Sequence, residues 1–123
     1  MNLCGVKVTG LALALLLLIP QAVHAHAFLD HAEPRVGSQV SQSPAEVKIW
    51  FTEKLEPAFS VIEVRDAAGK QVDKRDSHLD AKDKALLIIS LPPLGPGTYK
   101  VIWQVVSTDT HRTKGSFKFT VKP

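Results

Sequence analysis

Apolar and polar residues alternate along much of this chain with the period of two that a half-buried β-strand requires. The clearest stretches are residues 46–51, 99–105 and 117–122. Residues 59–65 are rich in β-branched and aromatic side chains, and the short apolar run 86–91 stops at two prolines, as strands often do. No comparable amphipathic helix is evident, so the pattern predicts an all-β fold.

Turn-forming sequences separate these stretches, for example Asp-Ala-Ala-Gly at 66–69 and Leu-Gly-Pro-Gly at 94–97. The polar segment 70–84 predicts a long loop or a weak hairpin at a sheet edge. Residues 99–105 form the longest predicted strand, which we expect to lie centrally with much of both faces covered. Together with a short first strand at 27–30, the pattern gives six or seven strands in one sandwich or small barrel.

The amino-terminal segment is typical of a secretory signal peptide. A positive charge at Lys7 precedes an apolar run at residues 11–19, and small residues follow it. A membrane-spanning helix needs about 20 apolar residues, so this run is too short to be retained as an anchor. The small-x-small rule fits cleavage after Ala25, which would release His26, and also cleavage after Ala27.

With cleavage after Ala25, residues 1–25 are the signal peptide and residues 26–123 form one exported domain. The single Cys4 and the single Met1 leave with the signal, so the domain has no disulfide and none of the soft sulfur ligands that select Cu(I). Any metal site must therefore use nitrogen and oxygen.

The formal net charge is +3 without a long basic run, and we expect no nucleic-acid partner.

A mature chain that begins at His26 would offer a metal two ligands from one residue, the α-amine and an imidazole nitrogen. The α-amine has a pKa of about 7.7–8.0, so a metal easily displaces its proton near neutral pH. Among divalent first-row ions the Irving–Williams order then favours copper.

Asp109 and His111 follow the longest predicted strand, and on extended backbone such a pair points to one face. This spacing alone more often marks a capping carboxylate and a solvated histidine, but a free amino-terminal histidine makes it a candidate metal site.

Five motifs follow one another along the mature sequence: His-Ala-Phe-Leu at 26–29, Glu-Pro at 33–34 with Gly37, Ile-Trp-Phe-Thr-Glu at 49–53, Gly-Thr-Tyr-Lys-Val at 97–101, and Val-Ser-Thr-Asp-Thr-His at 106–111 with Gly115 and Phe117. In this order they resemble the motifs of the CopC family of periplasmic copper-binding proteins. The resemblance implies a Greek-key β-sandwich or barrel of the Ig-like type that holds Cu(II) by the amine and imidazole of His26 and by Asp109 and His111. Some members place the Glu of the Phe-Thr-Glu motif near the copper, which here is Glu53.

The best-known members of that family also carry a Met-rich loop that binds Cu(I), whereas the matching region 70–84 has no Met. The resemblance therefore implies a Cu(II)-only binder, without enzymatic activity, that sequesters or delivers copper in the periplasm for copper homeostasis or resistance. We expect a monomer whose mature chain does not span the membrane, with an inner-membrane copper transporter of the CopD type as its partner.

Two other functions are considered. A copper-dependent oxidative enzyme is one, because an amino-terminal histidine with a second histidine also resembles the copper site of lytic polysaccharide monooxygenases. The chain is short of loops for a broad substrate surface, however, and Asp109 would fill a coordination position that oxygen activation needs open. A metal-free Ig-like interaction module is the other function, and it leaves His26 and the Asp109/His111 pair unexplained.

The remaining histidines and the tryptophans have simpler interpretations. The segment 76–80 surrounds His78 with two carboxylates but lies among lysines and arginines, which predicts a solvated loop. His31 is interpreted as a surface residue or a hydrogen-bonding neighbour of the metal site. Trp50 and Trp103 are expected in the core or at its edge.

Overall fold

The computed structural model describes residues 27–123, which form two four-stranded β-sheets. In chain order the strands are β1 (Leu29–Glu33), β2 (Gln39–Val40), β3 (Glu46–Phe51), β4 (Val61–Arg65), β5 (His78–Leu79), β6 (Leu86–Ser90), β7 (Gly97–Val106) and β8 (Arg112–Val121). Sheet A has the strand order β1-β3-β6-β5 and sheet B the order β2-β8-β7-β4. All pairs are antiparallel except β2 with β8.

The predicted all-β, Ig-like sandwich is confirmed. The part of the chain that the structure describes has eight strands rather than six or seven, because β2 and β5 contribute two residues each and show no alternation. β5 adds to the edge of sheet A within the polar segment 70–84, as the edge-hairpin interpretation predicted. Both sheets and the core lie within residues 27–123, so a chain that begins at His26 contains every element of this fold. No helix in that range is long and apolar enough to span a membrane.

The core lies between the inward faces of the two sheets, where the alternating residues meet. On β3, for example, Val47, Ile49 and Phe51 are buried while the residues between them are half-buried. Because successive side chains of a strand point to opposite faces, the period of two decides which residues enter the core. The largest fully buried side chains are Phe119, Ile49, Ile62, Leu87 and Ile89.

β7 and β8 form a ten-pair hairpin that dominates sheet B. β7 is an interior strand, as predicted, and shares its length with β8. The expectation that both its faces are covered is wrong: Lys100 and Gln104 are exposed and Ile102 is half-buried, because sheet B is one layer of a two-layer sandwich. β8 begins at Arg112, before any apolar alternation, because pairing with β7 supplies its hydrogen bonds.

Gly115 allows Trp103 to enter the core. The two residues are paired across β7 and β8, and the indole of Trp103 meets the Phe51 ring edge-on at 5.2 Å between ring centroids. A Cβ atom at position 115 would lie 2.5 Å from Cζ2 and 2.8 Å from Cε2 of that indole. These distances are too short for carbon atoms, so a larger residue here would displace the indole from the core.

We therefore expect Gly115→Ala to lower the free energy of unfolding by about 1–3 kcal/mol, the usual effect of overpacking. Urea denaturation followed by tryptophan fluorescence would measure the change. Ser116→Ala is the matched control, because Ser116 is the exposed neighbour on the same strand and such surface changes stay within about 0.5 kcal/mol. Equal stability of the two variants would contradict the packing argument.

Candidate metal centre

The connection between β7 and β8, residues 107–111, is a tight turn that carries Asp109 and His111. The N–H of Thr110 donates to the carbonyl of Ser107 at 2.8 Å, and the N–H of Ser107 donates to the carbonyl of His111 at 3.0 Å. Thr110 has a φ of 72°, a left-handed conformation that is uncommon for residues other than glycine. The metal-site pair therefore lies in a constrained turn and not on extended backbone.

Ser107 holds the two candidate ligands together. It is 1% exposed, and its hydroxyl donates a hydrogen bond to the Asp109 carboxylate while accepting one from the backbone N–H of His111 at 3.3 Å. The Asp109 Oδ2 atom lies 3.2 Å from the Nδ1 atom of His111. A separation of 3.2 Å is that of an ordinary ion pair between a carboxylate and an imidazole, and the Nδ1 atom of His111 is itself buried.

The Asp109 carboxyl is charged in this turn. The hydrogen bond from the Ser107 hydroxyl, followed by the contact with His111, holds the pKa of Asp109 below its ordinary value against a smaller opposing effect of desolvation. The Asp109 side chain is 44% exposed and that of His111 33% exposed. The pair therefore presents a carboxylate and part of an imidazole ring at the surface, while the Nδ1 atom of His111 is buried.

The first described residues lie against the same end of the hairpin. Ala27 is fully buried, and its carbonyl accepts a hydrogen bond from the Thr113 hydroxyl at 2.5 Å; Thr113 is two residues beyond His111. The N–H of Phe28 donates to Thr52 Oγ1 at 3.0 Å, and the N–H of Thr52 donates to the carbonyl of Phe28 at 2.9 Å. These bonds fix the chain beside the turn from its first described residue. His26 itself lies outside the described residues.

Glu53 lies on the segment that connects the chain start to the turn. Its neighbour Thr52 bonds to Phe28, and the carbonyl of Lys54 accepts a hydrogen bond from the N–H of Thr108 at 3.0 Å. The Glu53 side chain is half-buried. Within residues 27–123, no group of three His, Cys, Asp or Glu residues is arranged to hold a metal ion, so Glu53 does not complete the site with Asp109 and His111 in this arrangement.

His31 has its own partners on the outer face of sheet A. Its Nδ1 atom lies 2.6 Å from Oδ2 of Asp30, and its ring stacks on that of Trp50 with 4.4 Å between centroids and 9° between planes. The His31 side chain is 56% exposed, which agrees with its interpretation as a surface residue.

Of the two tryptophans, Trp103 lies in the core and Trp50 is half-buried outside it.

The carboxylates around His78 bind backbone amides. Asp76 accepts from the N–H of Ser90 at 2.8 Å, and Asp80 accepts from the N–H groups of residues 82–83 at 2.9 Å. Hydrogen bonding by the Ser90 side chain, and then by its backbone N–H, lowers the pKa of Asp76, and the backbone bonds lower the pKa of Asp80. The Nδ1 atom of His78 lies 2.8 Å from the carbonyl of Asp76. The loop prediction is thus wrong for His78–Leu79, which form the edge strand β5, although His78 is exposed as expected.

Sequence reasoning selected Asp109 and His111, which the structure brings into contact, but it missed the residues that fix the turn and the chain start. Ser107, Thr52 and Thr113 bind the turn or the chain start through their hydroxyl groups. Ser107 and Thr52 lie within the motifs noted above, whereas Thr113 follows the last motif and lies on the part of β8 without apolar residues. Only the pairing of β7 with β8 brings Thr113 to the chain start.

Comparison with known proteins decides the family. A family model described as the CopC domain matches residues 29–122. The chain belongs to the CopC family. Protein YobA of Escherichia coli K12 is 35% identical to this CopC-family chain over 114 residues, which is 92% of each protein. The resemblance inferred from the sequence motifs is therefore confirmed.

Two crystal structures of the family show the same fold. CopC from Methylosinus trichosporium OB3b superposes with a TM-score of 0.75 and 37% identity over 80% of this chain and 95% of that one. PcoC of E. coli, described as a methionine-rich copper resistance protein, gives 0.71 and 31% identity over 80% of this chain and all of that one. The chain thus belongs to a family of copper-binding and copper resistance proteins, and it differs from PcoC in having one Met, at position 1.

Proposed function

We propose that the chain is exported to the periplasm and binds one Cu(II) ion, which it sequesters or delivers in copper homeostasis. The ligands are the amine and imidazole of His26 together with Asp109 and His111. The observation that carries the proposal is the 3.2 Å contact between Asp109 and His111 beside the buried start of the described chain at Ala27.

Covalent geometry supports the part played by His26. A trans peptide bond separates neighbouring Cα atoms by about 3.8 Å, so His26 can be no further than this from the buried Ala27. Ala27 is bonded to Thr113, which is two residues from His111. Cleavage after Ala27 would remove a core residue, and this supports cleavage after Ala25, with residues 26–123 as the mature domain.

The donor set determines which ion the site would prefer. It consists of two nitrogens from one residue, an anionic oxygen and a second imidazole, without sulfur. Such nitrogen and oxygen sets suit tetragonal Cu(II) and offer nothing that favours Cu(I). The low pKa of Asp109 keeps its carboxylate available to a cation at neutral pH. Glu53 is a further candidate ligand, because Thr52 and Lys54 on either side of it bond to the chain start and to the turn.

In this proposal the domain carries copper and does not use the ion to catalyse a reaction. We propose an inner-membrane transporter of the CopD type as the recipient and a monomer as the working form. A site at the surface suits transfer, because Asp109 and His111 are 44% and 33% exposed and a partner can approach the ion without unfolding the sandwich.

The test is a competition titration of the chain beginning at His26 with Cu(II) and with Cu(I), each against a chelator of known affinity. We expect one tightly bound Cu(II) per chain, a tetragonal nitrogen and oxygen signature in electron paramagnetic resonance, and no Cu(I) binding of comparable strength. Tight Cu(I) binding, or absence of tight Cu(II) binding, would overturn the proposal.

A further inference from the structure

The outer face of sheet B carries a cluster of cationic side chains that take no part in the proposed copper binding. Lys100 on β7 and Arg112, Lys114 and Lys118 on β8 are all exposed. Each lies at an outward position, because the residues that alternate with them face the core or its rim. Arg65 on β4 lies in the same row as Lys100 and Lys118. We call these five residues the basic face.

Four of the five cations lack an acidic partner. Arg65 is bonded to Glu63, with Nη2 and Oε2 2.9 Å apart. Among the residues that the structure describes, the other ion pairs join His31 to Asp30, Lys48 to Glu46 and His111 to Asp109. Glu63 is the single carboxylate among the outward positions of β4, β7 and β8, and Asp66, directly after β4, lines the same surface pocket as Arg65, Lys100 and Lys118. With both carboxylates counted, the basic face keeps a net positive charge of about three.

The cations form a flat array. Lys100 is paired with Lys118 across the hairpin, and neighbouring strands lie about 4.8 Å apart. Arg112 and Lys118 are six residues apart on β8, or about 20 Å along an extended strand. No contiguous basic run exists in the sequence, because alternation along β7 and β8 separates these residues in the chain and brings them to one face.

The outer face of sheet A shows no such excess. Its charged strand residues are Asp30, Glu33, Glu46 and Lys48, apart from histidines, and Lys48 is bound to Glu46 at 3.4 Å. The asymmetry means that the molecule has one strongly positive side. A negatively charged surface would therefore orient the domain with sheet B towards it.

We propose that the basic face docks on the surface of an anionic phospholipid membrane. Lysine is depleted in the interfaces between proteins, whereas a flat set of separate lysines and arginines suits a field of lipid phosphates. Exposed apolar side chains lie at the edge of the same face: Val61, on an outward position of β4, is 41% exposed, and Phe59, two residues earlier, is 62% exposed. These can enter the headgroup region once the cations have brought the face to the surface.

The orientation has a consequence for the turn between β7 and β8. Arg112 of the basic face directly follows His111, so a docked domain holds residues 107–111 at the rim of its contact with the membrane. An ion bound there would remain open to a membrane partner. The docking itself needs no copper, so it can be tested on the metal-free protein, and its failure would leave the proposed copper site standing.

The experiment measures sedimentation of the metal-free chain beginning at His26 with vesicles of equal parts phosphatidylglycerol and phosphatidylcholine. We expect binding that weakens as salt is added and that is absent with pure phosphatidylcholine. Replacing Lys100, Lys114 and Lys118 together by Gln should reduce the vesicle partition coefficient about 100-fold, since each lysine near an anionic membrane contributes a factor of about 5.

The matched control replaces Lys74, Lys82 and Lys84 by Gln. These exposed lysines lie in the loops on either side of β5, so the control has the same net charge and should keep its binding within about 3-fold. Circular dichroism and urea unfolding of both triple variants would verify that they fold.

Three results would overturn the proposal. Equal losses in the two triple variants would mean that net charge alone governs binding. A lack of binding to the anionic vesicles at low salt would remove the membrane as the partner. Binding to immobilised polyglutamate, lost in the basic-face variant, without binding to vesicles would assign the face to an acidic protein instead.

Discussion

One additional alanine before His26 should weaken Cu(II) binding by more than about 100-fold. The added residue takes the α-amine away from His26 but leaves every side chain in place. Groups that only orient a metal ligand already contribute about 10–100-fold to affinity, and here a ligand is displaced together with the chelate ring that it forms with the imidazole. A competition titration of the chain beginning at His26 and of the extended chain would measure the difference.

His26→Ala provides the complementary control, because it keeps a terminal amine at the same position and removes the imidazole. We expect this variant to lose affinity as well, which would show that both groups of the residue act on the ion. Equal, tight binding by the extended chain and the chain beginning at His26 would contradict the proposed terminus. The copper would then lie elsewhere, with His78 and His31 as the next candidates.

The burial of Ala27 is the reason we expect the start of the chain to be sensitive to such a change. Ala27 is fully buried and bonded to Thr113, so the residue to which His26 is covalently attached has a fixed position. A ligand that is held in place before the ion arrives loses less conformational entropy on binding. The extension alters chemistry at this position while leaving the core unchanged.

The strands were predictable wherever burial differs between the two faces. Residues 46–51 alternate in sequence and form β3 with the same bounds. β2 and the first half of β8 were not predictable, since Gln39–Val40 and residues 112–116 lack an alternating apolar pattern and form strands because they pair with neighbours. The expected coverage of both faces of β7 failed because alternation shows which side is inward and cannot show whether another layer covers the outward side.

The sequence was sufficient to select Asp109 and His111 as a pair but not to identify the residues that support the turn. Asp109 and His111 stand two residues apart, and this spacing can be recognised in a sequence. Ser107 could not be identified in this way, because a serine near a turn is common, and its role depends on burial to 1% exposure by the pairing around it. Nor did the sequence indicate the basic face, whose members come from three strands and become neighbours only in the folded sheet.

His111→Ala should also lower Cu(II) affinity by about 100-fold or more, because it removes one of the imidazole ligands of the proposed site. The fold should tolerate the change. The bonds that hold the turn use the N–H and carbonyl of residue 111 with Ser107, and alanine retains both. The measurement is the same competition titration, with the Tm recorded for each variant to separate a loss of ligand from a loss of structure.

The matched control is His78→Ala, which removes an imidazole from β5, at the edge of the other sheet. His78 Nδ1 lies 2.8 Å from the carbonyl of Asp76, and the nearby carboxylates of Asp76 and Asp80 already bind backbone amides. This histidine therefore has no set of free ligands around it, and its loss should leave Cu(II) affinity unchanged. If the His78 variant lost affinity and the His111 variant did not, the copper would belong to the β5 segment and the turn between β7 and β8 would have to be abandoned as the site. If only the His111 variant lost affinity, the result would support an ion at the turn between β7 and β8, where Asp109 and His111 lie close to Ala27.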